Sequence, residues 1–112
     1  MSQTAQQPDW VPIGYARFAD LSSAVILASA SPTAGTAFAS LSEEPQHAII
    51  SLHTQNCRVR DDGTSPTTTE GELYVVGTGG YKIVVENSPD VIRKFRVIEV
   101  TASASMTVRY FA

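Results

Sequence analysis

"NCRVRDDGTSPTTTEGELYVV", Asn56 to Val76, decides how this chain folds. An alternating run from Cys57 ends in two aspartates and a glycine, a threonine-rich stretch follows, and apolar residues resume at Leu73. Aspartate and glycine favour turns, because the carboxylate bonds nearby backbone and glycine accepts positive φ. The stretch therefore predicts strand, turn, loop and strand. Strand signals separated by turn formers continue on both sides of it, and no sustained spacing of three and four marks a long amphipathic helix.

Strands are expected at 13–19, 24–28, 46–54, 57–61, 72–76, 81–86, 93–100 and 105–111. That is an all-β chain of about eight short strands, an antiparallel β-sandwich or small barrel. Pro32 and Gly35, Pro45, Gly63 and Pro66, and Asn87 with Pro89 supply the breaks. In "VVGTGGYKIVV", Gly77, Gly79 and Gly80 separate two β-branched runs, which predicts a hairpin whose turn needs positive φ. The alanine- and serine-rich segment 18–42 is read as strand and irregular connection with room for one helical turn, since Pro32, Gly35 and the serine runs oppose a longer helix.

Alternation assigns faces. In "HAIISLHT", Ala48, Ile50 and Leu52 share one side, while His47, Ile49, Ser51 and His53 share the other. In "SMTVRYF", Met106, Val108 and Tyr110 oppose Thr107, Arg109 and Phe111. Apolar residues are thus left on the outer side of more than one strand, which points to contact with another subunit.

With 112 residues the chain is one domain long enough to bury a core without staples. Residues 1–12 are read as a flexible N-terminal arm and 13–112 as the β-domain, because "MSQTAQQPD" is polar and contains a proline. Trp10, at their junction, either caps the core edge or anchors the arm on a neighbouring subunit. Net charge of -3 opposes a nucleic-acid grip. The apolar run at Ala24 is too short to span a bilayer, so no membrane partner is expected. One cysteine, Cys57, excludes an intramolecular disulfide framework.

No reactive constellation emerges. Asp61 and Asp62 lack calcium-loop spacing and have Arg58 and Arg60 beside them, so no metal is expected there. Adjacent strand residues point to opposite faces, which disfavours a hydrolytic carboxylate pair, whereas Arg60 and Asp62 are placed for a local ion pair. His47 and His53 lie on one strand face about 20 Å apart, too far to share an ion. Cys57 has no orienting partner for a nucleophile, and "GTGGYK" lacks both Walker spacing and a following helix. Arg96 and Arg109 alternate with apolar residues as solvent-facing strand positions do. No catalytic residue, cofactor or metal is assigned.

"CRVRDDGTSPT", followed by "KFRVIEVTASASMTVRYF", resembles a group of small virion structural proteins of tailed bacteriophages, over about Gln46 to Phe111. The resemblance implies a β-rich component of the phage particle without enzyme activity. It implies that Arg58, Arg60, Asp61, Asp62 and Gly63 shape a turn and meet a neighbouring subunit. The expected role is a capsid decoration or cement protein on the virion surface, made in the host bacterial cytoplasm. Its partners would be the major capsid protein lattice and copies of itself, a trimer being favoured. A head-fibre base or tail component is the alternative. From another class comes a carbohydrate-binding module using Trp10, Tyr15, Tyr74 or Tyr81 as stacking platforms. The chain departs from the group in its longer "TSPTTTEGELY" stretch and its alanine-rich first third.

Overall fold

The computed structural model describes residues 10–112. It forms an antiparallel β-sandwich. The elements are β1 (Pro12–Phe18), β2 (Val25–Ile26), β3 (Ala34–Gly35), a 3-10 turn (Phe38–Ser40), β4 (His47–His53), β5 (Cys57–Arg60), β6 (Glu72–Tyr74), β7 (Tyr81–Glu86), α1 (Pro89–Lys94), β8 (Arg96–Glu99) and β9 (Ser105–Phe111). One sheet has the order β3-β1-β9-β4-β7 and the other β2-β8-β5-β6.

Alternation builds the core. Along β4, Ala48, Ile50 and Leu52 are fully buried and the residues between them are not. The register brings Ile50 opposite Val108 and Ala16 opposite the same Val108, so one inward row crosses three strands. Cys57, Val59 and Val97 of the second sheet belong to the same buried cluster, and Leu21, Ile92 and Phe95 join it from segments outside the strands. Each large apolar side chain so enclosed contributes roughly 1.5–3 kcal/mol.

Two expectations are corrected. Residues 93–100 do not form one strand, because Pro89–Lys94 is helical and β8 begins only at Arg96. Ser88 Oγ caps the helix by accepting from the Val91 N–H, and Pro89 stands in the first turn, where its missing N–H costs nothing. Asp90 reaches Lys94 at 3.1 Å, and the acidic start and basic end suit the helix dipole.

The glycine link 77–80 is not a hairpin turn. β6 pairs with β5 and β7 with β4, in different sheets, so the link turns a corner of the sandwich. Asn56 Oδ1 accepts from the Val76 and Gly77 N–H groups at 2.8 and 3.2 Å. At the other end, Thr54 and Gly80 tie the link to β4. Positive φ is present as the glycines require, +83° at Gly77 and +77° at Gly79.

The arm expected over residues 1–12 meets the sandwich at its last residues. Val11 exchanges backbone hydrogen bonds with Ala112, and Pro12 already belongs to β1. Trp10 and Val11 lie just before β1; the rest of the expected arm, 1–9, lies outside the described residues.

Candidate functional site

Three places collect chemistry-bearing side chains: the loop after β5, the outer face of the five-stranded sheet, and the side of the sandwich where β6 and β7 run as edges.

In the loop, Arg60 and Asp62 form a two-pronged ion pair, at 3.1 and 2.5 Å, and Asp62 also accepts from the Thr64 N–H. Arg60, and then the Thr64 N–H, hold the Asp62 carboxyl well below its usual range, at about 2. Gly63 follows at φ +89°, which the tight turn needs. Asp61 is exposed. Arg58 turns the other way along β5 and donates to the Thr68 and Gly71 carbonyls at 3.1 and 2.8 Å. Thr67 Oγ1 accepts from the Thr69 and Glu70 N–H groups. Pro66 is buried beneath. Arg58, Arg60 and Asp62 thus spend their polar atoms on the loop itself, and Asp61 does not converge with Asp62 on a shared ligand. Arg96 departs from the solvent-facing expectation: it is half-buried and donates to Ser65 Oγ, bracing the same loop from β8.

On the outer face of the larger sheet, Trp10 stacks on His47 with ring centroids 4.0 Å apart and meets Phe111 at 5.4 Å. The Arg109 guanidinium lies over the Phe111 ring, 5.7 Å from its centroid. Phe111, outward by alternation, is consequently buried. Beyond this cluster the face stays open, with Tyr15, Tyr81, Ile83 and Val85 exposed by 46–69%. Tyr15 and Tyr81 stand about 20 Å apart, three strand spacings across and four residues along. Tyr74 is half-buried in the other sheet, so these aromatics make no common stacking platform.

Between β6 and β7 runs a groove of about 580 Å³, lined by Glu72, Leu73, Tyr74, Lys82, Ile83 and Val84 among others. Burial, with Asp61 and Glu72 adding repulsion, raises the Glu86 carboxyl above its usual range. The sequence reading missed this groove because it joined β6 and β7 as a hairpin. Nothing in the local pattern distinguishes a turn within one sheet from a corner between two.

The remaining candidates stay separate. Cys57 is buried, its thiol pushed up to about 11 by burial and then by Glu99. His47 contacts Asn87, and His53 contacts Thr107. No group of three or more potential metal ligands forms among the described residues. No helix among them is long and apolar enough to cross a membrane.

No family model matches the chain. No curated protein matches it either. A solved chain from Bacillus endospore appendages, a family of disulfide-linked pili, is similar over 99% of this chain and 97% of its own, at 13% identity and a TM-score of 0.38. That likeness is too loose to carry an argument about fold or function.

Proposed function

We propose that this chain is a non-enzymatic structural protein of a phage particle, a capsid decoration or cement protein that binds the head lattice as an oligomer. The observation that carries the reading is the open apolar surface around β7: Tyr81, Ile83 and Val85 on one side of the strand, and Leu73 and Val75 on the neighbouring edge, all at least 42% exposed. Contiguous apolar surface of this kind on a small domain marks contact with other proteins. The box Cys57–Thr67 and the run Lys94–Phe111 supply the phage setting through their resemblance to small virion proteins.

The physical logic is avidity, since modest contacts repeated over a lattice hold a small domain firmly. Labelled protein added to heads that lack it should co-sediment and saturate at a stoichiometry set by the lattice. Absence of saturable binding rejects the reading. Binding to tails or fibre bases instead moves the protein to the alternative location. Dispersal of Tyr15, Tyr74 and Tyr81 weighs against the carbohydrate-binding reading, and binding on a glycan array would restore it.

A further inference from the structure

Edge strands expose unpaired backbone groups, and proteins usually keep them short. Among the described residues, three of the four edges obey: β2 and β3 have two residues each and β6 three, whereas β7 has six. Thr54 N–H donates to the Gly80 carbonyl, and the β4–β7 register runs unbroken from there. By the antiparallel alternation, even-numbered residues of β7 bond to β4, and Tyr81, Ile83 and Val85 turn their N–H and C=O groups to the open side.

The charges on this edge are arranged symmetrically. Lys82 and Glu86 lie two residues either side of Val84, on the face opposite Tyr81, Ile83 and Val85. Neither makes a salt bridge among the described residues. Inward charges on an edge often block pairing. Opposite signs placed evenly about a centre do the reverse for one partner, an identical strand running antiparallel.

We propose that β7 pairs with β7 of a second copy of this chain, antiparallel about a two-fold axis at Val84, joining the two five-stranded sheets into one of ten strands. In that register Ile83 faces Val85 across the axis and exchanges backbone hydrogen bonds with it, Val84 faces its own copy, and Lys82 faces Glu86 twice. The carboxyl that Asp61 and Glu72 crowd gains a cation, and Ile83 and Val85 gain apolar cross-strand partners. The contact is isologous, as two-fold interfaces are. It departs from the trimer favoured on sequence, because one self-complementary edge closes a pair and leaves no copy of itself open. It goes beyond the head-binding reading and stands without it.

Charge reversal tests the register. Lys82→Glu sets glutamate against glutamate at both ends of the pair, and Glu86→Lys sets lysine against lysine. Each variant alone should raise the dimer dissociation constant by about tenfold or more, whereas an equimolar mixture should form heterodimers close to wild-type strength, because every facing pair is again opposite in sign. Sedimentation equilibrium over a concentration series reads the masses, and circular dichroism verifies that each variant is folded. A wild-type chain that stays monomeric or forms trimers overturns the proposal. So does a dimer indifferent to both reversals, or a mixture no tighter than the separate variants.

Discussion

Trp10 and His47 stack almost parallel, with ring centroids 4.0 Å apart and planes inclined by 11°. The first described residue is thereby fixed to β4 of its own chain, and Phe111 of the last strand lies against the same indole. Trp10→Ala should lower the unfolding free energy by about 2 kcal/mol through lost stacking and burial. Urea denaturation followed by circular dichroism measures it. A loss below about 0.5 kcal/mol would mean that Trp10 contributes little to its own domain and would favour a neighbouring subunit as its anchor.

Arg58 holds the loop after β5 through the Thr68 and Gly71 carbonyls. Replacing it by alanine should cost about 1–2 kcal/mol and speed proteolytic cutting between residues 64 and 71. Arg58→Lys should recover only part of this, because an ammonium cannot reproduce the spread of the guanidinium donors. Unchanged cutting rates in Arg58→Ala would show that the loop is held by other contacts.

The Asp62 carboxyl should titrate near 2 rather than near 3.8 when followed by carbon-detected NMR. Its folded value is depressed, so its contribution to stability is present above about 3.8 and is lost as pH falls through about 2. Arg60→Ala should return the midpoint most of the way, leaving the smaller effect of the Thr64 N–H. The pair is exposed, so salt should weaken the shift. A midpoint that ignores both Arg60 and salt would contradict the ion pair.

Cys57 should resist a disulfide reagent at pH 8 in the native protein and react at once in denaturant, since it is buried and its thiol is pushed up to about 11. The sign for stability is negative at alkaline pH: the unfolded thiol ionises above 9.0, its ordinary value, while the folded one stays protonated, so stability declines as pH rises beyond that point. Rapid native-state labelling would contradict the burial.

Strand positions were legible because burial on one side leaves a period of two, as Ala48, Ile50 and Leu52 demonstrate in β4 and Met106 and Val108 in β9. Sheet membership was not, and the link at Gly77–Gly80 illustrates why. Positive φ is a local demand that a hairpin and a corner share, and the choice between them falls to Asn56, distant in sequence, which fastens Val76 and Gly77. Helix α1 did announce itself, through serine, proline and aspartate at its start. The alternating "FRVIEV" that follows extended the strand reading back over its last two residues, Arg93 and Lys94. At the site, the Arg60–Asp62 pair was readable from its spacing. The open edge of β7 depends on which strand lies beside it, and no residue within β7 reports that.

The function proposed for this chain is attachment to the surface of a phage head. Cryo-electron microscopy of heads lacking this protein, imaged before and after its addition, tests that claim most directly. New density is expected at lattice-ordered sites on the outer shell, into which the sandwich fits. Heads whose maps are identical before and after addition would contradict it.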